Sequence, residues 1–504
     1  MKNFSNNFII NDIKNCKDIS QALLKTVERV PNKIFIKSNY DNITFINFNK
    51  LVNCCCNFFL KNKLKKNDIL TIKLRNSLEF LIIYFACLRF KLIVNPIPSS
   101  VSDYEFLNKI NYLKSKSVFI DRSCKVKKNF FCIDRDFHGN FCKYLTNNYS
   151  SEFNFDLNFN PKNTAVLYYS SGTTDNPKII EYSHYAMIEL QKSMIRHNFT
   201  THKTNHLCIL PFGHTSVLRY SIKQAVLLGS TITICENFWK IKNNFWKIIK
   251  KNKIGFVQLV PSLVTSILSY SINKFSLKNI FCGCSSSYLS KELQKNFEKK
   301  FKIKLLNNYG LSEIGASHFE SLKKRKIGSI GKPLDNYSCK ILNKKNKICK
   351  VNEEGELFVK SKCLFNGYYK NKKLTKKSFY KGFFKTGDIC FKDREGFYFY
   401  KDRKKDLIIK GGVNILPSEI DEAIVKSEKK IIECATVGFK DEFYGEIIKS
   451  FVIIKKNQKI SIPRLKKKLL YKLGSFKCPD IVVQVNKFPK TQSGKIIKRF
   501  LNES

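Results

Sequence analysis

Several short stretches of this chain combine residues that could do chemistry. Ser170, Ser171, Gly172, Thr173, Thr174 and Lys178 stand together directly after the apolar run Val166–Tyr169. The hydroxyls are hydrogen-bond donors, and the glycine lets the backbone approach a ligand. Successive N–H groups in such a turn form a nest for an anion, and lysine adds a mobile positive charge. Phosphate binding is the chemistry this pattern suits; a Ser/Thr-rich surface turn has the same composition. Further on, Asn308-Tyr309-Gly310-Leu311-Ser312-Glu313 follows an apolar run. A tyrosine face can stack on a base, and a carboxylate such as Glu313 can hold Mg²⁺ beside phosphates. Lys385-Thr386-Gly387-Asp388 places a lone carboxylate after a tight turn, suited to the two hydroxyls of a ribose. Asp402-Arg403-Lys404-Lys405-Asp406 runs on to Ile408–Asn414, with Gly411 and Gly412. Pro489–Lys495 lies near the end, and Leu210-Pro211-Phe212-Gly213-His214 lies between. Each of these, alone, reads equally as a turn, a core histidine or a solvated lysine face.

The elements that must position them follow from periodicity. Ile19, Leu23, Leu24, Val27 and Val30 share one helical face, and Pro31 stops it. Strands are expected at 34–37, 43–46, 68–73 and 92–95, and helices at 48–60 and 77–88. Ser183 is positioned to cap a helix through Met187, Leu190 and Met194. The alternation continues with strands at 207–210, 231–235, 279–282 and 304–307 and helices at 221–228, 261–270 and 290–297. Such spacing indicates α/β layers with parallel pairing. Over 328–400 the pattern changes to short strands between Gly- and Lys-rich turns, as in a small β-barrel. From about Arg403 a last unit mixes helices and strands.

The 504 residues exceed one ordinary core, so two to four domains are expected. Net charge is +51. Such a balance suits a nucleic-acid or membrane-surface binder, but the basic residues are spread along the whole chain. Lys, Asn, Ile and Phe abound throughout, as compositional drift would produce, and no dedicated nucleic-acid site is expected. The eighteen cysteines lack paired spacing. With no signal-like start, they point to reduced thiols in the cytoplasm. The most apolar run, Phe80–Leu88, has the length of a buried helix rather than of a transmembrane segment. His197, His202 and His206 have a loosely metal-like spacing, but no cysteine or carboxylate pattern joins them.

Taken together and in order, these motifs resemble the adenylate-forming superfamily: acyl-CoA synthetases, aryl-CoA ligases, luciferases and peptide-synthetase adenylation domains. The match includes the Ser170–Lys178 loop, Tyr-Gly-x-Ser-Glu, Thr-Gly-Asp, Arg-x-Lys-Asp and Pro-Lys-Thr-x-Ser-Gly-Lys. The resemblance implies an α/β fold. A large N-terminal domain (1–402) would hold two layered α/β subdomains and a small β-barrel, and a small α+β C-terminal domain (403–504) would follow on a hinge. It implies ATP, Mg²⁺ and a pantetheine thiol, of CoA or of a carrier protein. Ser170, Ser171, Gly172, Thr173, Thr174 and Lys178 would hold the β- and γ-phosphates, with Thr174 and Glu313 beside the Mg²⁺ and Ser312 next to them. Tyr309 would pack on adenine, with Gly283, Cys284 and Ser285 at its edge. Asp388 and Arg403 would hold the ribose. Lys495 would bridge the attacking carboxylate and the α-phosphate, Lys405 would be the hinge, and Gly411 and Gly412 would leave room for the pantetheine arm.

His214 after Pro-Phe-Gly resembles the aromatic-His pattern of acyl- and aryl-acid ligases. Domains that activate α-amino acids place an aspartate there for the substrate amine. A small carboxylic acid without an amine is therefore expected, in an apolar pocket of Val217, Leu311 and Ile314. An acidic carrier protein would suit the net charge as acceptor. A degenerate ligase fold that binds nucleic acid is the alternative from another class. The chain departs from its relatives at Asp175 and Ile179, which replace glycines of the phosphate loop, and at Phe90-Lys91, which replaces a usual Ala-Gly.

Overall fold

The computed structural model describes residues 5–37, 42–121, 130–133, 140–149, 152–154, 158–169, 178–197, 199–270, 277, 279–490 and 496–501. Helices start where side chains can satisfy their first N–H groups. Asp18 accepts from Gln21 N–H at 2.8 Å and opens the helix Ile19–Arg29, which ends before Pro31. Thr44 caps Phe45–Lys61, and Ser183 caps His184–Arg196. The apolar run forms the helix Leu78–Phe90, buried from Glu79 onward. Each fully buried Leu, Ile or Phe on it contributes about 1.5–3 kcal/mol. Lys91 ends this helix with a left-handed φ of 66°. A glycine would adopt that conformation without strain. Here the lysine side chain reaches the buried Asp18 instead, so the departure from Ala-Gly is compensated by an ion pair.

Two mixed, mostly parallel sheets form the main layers. The larger runs Lys332–Pro333, Gly315–Phe319, Lys304–Leu311, Phe281–Cys284, Ile254–Leu259, Asn205–Cys208, Ile232–Ile234, Ile34–Lys37, Asn42–Thr44. The other runs Gly367–Tyr368, Ile179–Ser183, Thr164–Tyr169, Ile93–Pro96, Ile69–Lys73, Ser117–Asp121, Phe130–Ile133. Parallel pairs, such as Ile69–Lys73 with Ile93–Pro96, are bridged by helices, as crossover connections require. The β-rich stretch is a five-stranded antiparallel sheet in which Phe383–Lys392 pairs with Gly355–Ser361 and Tyr398–Arg403. The C-terminal part has a two-stranded ribbon, Ile408–Lys410 with Val413–Ile415, and a three-stranded sheet covered by the helices Pro417–Ser427 and Ile462–Lys477. Its core, with Ile408, Ile420, Ile448 and Leu469, is separate from the main one.

Two elements differ from expectation in ways that matter for the site. The strand expected at 279–282 lies at Phe281–Cys284, because Asn279 takes a left-handed φ of 61° first. Gly283 and Cys284 are thereby inside the sheet. The helix expected at 221–228 begins as a π-helical turn, Leu218–Ile222, before Lys223–Leu228.

Candidate active site

In open α/β sheets ligands bind beyond the carboxyl ends of the strands. Here Asn205–Cys208, Ile254–Leu259, Phe281–Cys284 and Lys304–Leu311 run parallel, and their ends carry His214, Ser285 and Tyr309 to one side. Tyr309 lies within the last strand, not after it, and is buried. Its hydroxyl donates to Asp388 Oδ2 at 2.5 Å, and its ring packs edge-on to His318, 5.6 Å between centroids.

Asp388 is the centre of this group. It is fully buried and faces Arg403 across an antiparallel pair. Arg403 Nε lies 2.6 Å from Asp388 Oδ1. A one-residue slip of either strand would turn its side chain to the other face, so register sets this pair. Burial would lower the Arg403 pKa, but Asp388, Tyr309, Tyr400 and Glu313 hold it above its ordinary value. The Tyr309 phenol is raised by burial and by the Asp388 charge.

Glu313 sits at the turn after this strand, half-buried, and accepts from the Tyr368 hydroxyl at 3.0 Å. Lys178 Nζ lies over the Tyr368 ring, 5.2 Å from its centroid. Tyr368 therefore links the end of the phosphate-loop motif to Glu313. It was not singled out from the sequence; its signal is the Gly367-Tyr368 pair, whose strand joins Ile179–Ser183. Ile179 is buried with Leu113 and Leu167, so the residue replacing a glycine closes an apolar cluster. Ser170, Ser171, Gly172, Thr173, Thr174 and Asp175 lie outside the described residues, as does Lys495.

Gly283 has no room for a side chain: a Cβ there would lie 2.4 Å from Gln258 Oε1 and 2.9 Å from Asn308 Nδ2. Those two amides flank it. Gln258 Oε1 and both polar atoms of the Asn308 side chain are buried without a hydrogen-bond partner among the described residues. Orphaned donors and acceptors of this kind are costly unless a ligand satisfies them, and the edge of a purine presents the matching donor and acceptor. Neither amide was singled out from the sequence, where an isolated Gln or Asn has no spacing signature. Cys284 is buried and its thiol is pushed well up by desolvation, so it is inert. Ser285 accepts from Gln258 Nε2 at 3.0 Å. Ser312, like Glu313, is half-buried.

His214 lines a cavity of about 680 Å³ with Ser216, Val260, Leu263, Trp239 and Ser286. Burial lowers its pKa to about 4, so it is neutral at physiological pH. Glu433 and Lys490 of the C-terminal part line the same cavity as His214. Of the expected pocket residues, Val217 and Ile314 are buried and Leu311 is half-buried.

Lys405 lies in an exposed 3₁₀ turn, Lys404–Asp406, beyond the strand that ends at Arg403. Asp402 Oδ2 accepts from Ser418 N–H at 2.8 Å at the start of the helix Pro417–Ser427, and Glu422 on that helix meets the Tyr288 hydroxyl. Gly411 and Gly412 have φ of 51° and 76°; around Gly412 a Cβ would meet nothing within 4 Å. They form the turn of the two-stranded ribbon of the C-terminal part.

Among the described residues no three His, Cys, Asp or Glu side chains are grouped to hold a metal ion. None of the helices there is long and apolar enough to cross a membrane.

This geometry agrees with comparison to known proteins. Residues 23–369 match the AMP-binding enzyme family, and residues 419–495 match the AMP-binding enzyme C-terminal domain. The chain belongs to this family, the adenylate-forming enzymes. It is similar to a sulfoacetate–CoA ligase of Cupriavidus necator, 28% identical over 340 residues, 67% of this chain and 66% of that protein. It is also similar to a long-chain-fatty-acid–CoA ligase of Bacillus subtilis, 32% identical over 350 residues, 67% of this chain and 61% of that protein. The chain thus aligns with a little under two thirds of the length of these relatives. Among solved structures, ATP-bound MatB from Rhodopseudomonas palustris shares the fold, with a TM-score of 0.89 at 22% identity over 97% of this chain and 98% of that one.

Proposed function

We propose that the protein is an AMP-forming ligase that joins a small carboxylic acid to the thiol of CoA. In the first step a carboxylate oxygen attacks the α-phosphorus of ATP, forming acyl-AMP and releasing pyrophosphate. In the second the thiol sulfur attacks the acyl carbon, AMP leaves and its phosphate keeps the electron pair, and the thiol proton goes to solvent. The observation that carries this reading is Asp388, a buried carboxylate held between Arg403 and Tyr309. A carboxylate oriented by a guanidinium and a phenol is the charged acceptor that two adjacent ribose hydroxyls call for. The unpaired Gln258 Oε1 and the Asn308 amide beside Gly283 fit a purine edge.

The roles of the remaining residues follow. Ser170–Thr174 and Lys178 hold the terminal phosphates, and Glu313 with Thr174 would hold Mg²⁺. That ion, when bound, offsets the charge of the triphosphate. Tyr368 orients both Lys178 and Glu313. His214, neutral, lines the acid pocket and presents no charge to repel or trap a substrate amine. Two anions must meet in the first step, so oriented donors and positive charge are the main catalytic requirement, and Lys495 supplies the charge at the reacting atoms. Lys405 is the hinge about which the domain from 403 onward turns to exchange Lys495 for Gly411 and Gly412. The CoA thiol as acceptor is supported by the names of the relatives. ATP–pyrophosphate exchange over a panel of acids tests the proposal. Exchange dependent on one acid class is expected; no exchange with any acid, together with salt-sensitive DNA binding, would overturn it.

A further inference from the structure

The helix that leaves His214 carries two cations into the core. His214 precedes the short helix Thr215–Val217, which continues through the π-helical turn Leu218–Ile222 into Lys223–Leu228. Such turns are rare and concentrate at functional sites, where a side chain must leave the regular helical grid. Arg219, in the π turn, is 8% exposed, and Lys223 is 4% exposed. Four residues apart, they share a face. Lys223 Nζ lies 3.3 Å from the Met187 sulfur and 5.5 Å from the centroid of the Tyr84 ring. Burial raises the phenol pKa values of Tyr168, Tyr182, Tyr220 and Tyr337, and the nearby Arg219 charge offsets part of each rise. Tyr182 and Tyr337 already donate their hydroxyl protons to the carbonyls of Cys363 and Ile314. Among the described residues neither cation has a carboxylate partner.

Two buried positive charges without a counter-ion are strongly unfavourable. The protein relieves part of that cost at Lys223, whose pKa burial and then Arg219 push down to about 7. The remaining charge asks for an anion. Ser216, three residues before Arg219, lines the His214 cavity, and its hydroxyl lies 3.5 Å from that of Ser285. On the other side the Tyr182 and Tyr337 hydroxyls close around Gly315, two residues beyond Glu313. Arg219 therefore follows, one helical turn on, Thr215 and Ser216 of the acid cavity, and its charge reaches Tyr182 and Tyr337 beside the turn that carries Glu313.

We infer that Arg219, backed by Lys223, is an anion subsite behind the acid cavity, and that the substrate is a small acid with a second anionic group, a carboxylate or sulfonate. This rests on the ligase reading above. A terminal phosphate of ATP has the same chemistry, so the test separates the two.

The full-length chain is compared with Arg219→Met and Lys223→Met in ATP–pyrophosphate exchange, using acids matched in carbon number: succinate against butyrate, sulfoacetate against acetate. The parent prefers the dianion, and Arg219→Met lowers the diacid-to-monoacid ratio of kcat/KM by about 100-fold, through KM, as loss of a bidentate charge-assisted contact should. Lys223→Met lowers it by about 10-fold. A parent preference for the monoacid, or a KM for ATP that rises with every acid in Arg219→Met, overturns the subsite. If no acid supports exchange, the ligase reading fails separately. The subsite is then still read by thermal shift: succinate or sulfoacetate raises the parent Tm, butyrate does not, and Arg219→Met abolishes the effect. No shift with either dianion overturns it. Removing an unpaired buried charge should leave the Tm of Arg219→Met no lower than the parent's; if that variant fails to fold, Lys223→Met and the parent preference decide.

Discussion

Replacing Asp388 by asparagine breaks the group on which the nucleotide reading depends. The carboxylate is 0% exposed, with Arg403 Nε at 2.6 Å and Tyr309 Oη at 2.5 Å. Removing one partner of a buried ion pair costs about 3–5 kcal/mol, because a charge is left uncompensated. The Arg403 side chain is 24% exposed, so water relieves some of that and the lower end applies, about 3 kcal/mol. The asparagine NH₂ also faces a donor on one side, so one of the two contacts becomes repulsive. Tyr309→Phe, by contrast, removes one hydrogen bond to a charged acceptor and should cost about 1.5–3 kcal/mol. For AMP, two ribose hydroxyls lose a charged acceptor. At about 1.5 kcal/mol each, affinity falls about 100-fold. Urea unfolding followed by circular dichroism reads the first effect, and calorimetric titration with AMP reads the second. An Asp388→Asn protein that unfolds within about 1 kcal/mol of the parent and binds AMP equally well would refute the reasoning.

Four further outcomes are expected. Gly283→Ala places a Cβ 2.4 Å from Gln258 Oε1, so it should lower stability by about 1–3 kcal/mol and weaken adenine nucleotides more than inorganic pyrophosphate, measured by competitive binding. Lys495→Ala should abolish adenylate formation yet leave thioester formation from supplied acyl-AMP; equal loss of both half-reactions would count against the division of labour. Tyr288→Phe removes the contact with Glu422 and should raise the rate of the thioester step relative to adenylation, read in single-turnover half-reactions. Burial pushes His184, His206 and His318 down to about 3 and His214 to about 4. The unfolded chain therefore takes up these protons first, near pH 6.5, and stability is complete above that value and falls as pH drops toward 4. Each histidine contributes a slope of about 1.4 kcal/mol per pH unit. Glu320, pushed up to about 7 by burial, opposes with one proton. Urea midpoints that stay flat or rise between pH 7 and 5 would contradict this.

Much of the architecture was legible because periodicity is local. The cap at Ser183, the stop at Pro31 and the buried helix over 78–90 depend on residues a few positions apart. The displaced strand at Phe281–Cys284 was not legible, since its bounds come from pairing with strands on either side. The π turn at Leu218–Ile222 escaped a reading that assumed a regular helical period.

The site divides in the same way. Residue type and order within the motifs determined the family, the candidate phosphate loop, and the choice of Tyr309, Glu313, Asp388 and Arg403, because each motif is a short run whose chemistry can be read in isolation. Only the tertiary structure decided that Asp388 is shared by Arg403 and Tyr309, that Tyr368 stands between Lys178 and Glu313, and that Gln258 and Asn308 flank Gly283. It alone showed Arg219 and Lys223 buried without a counter-ion. Pair geometry and desolvation arise from residues tens to hundreds of positions apart, and neither leaves a mark on local sequence.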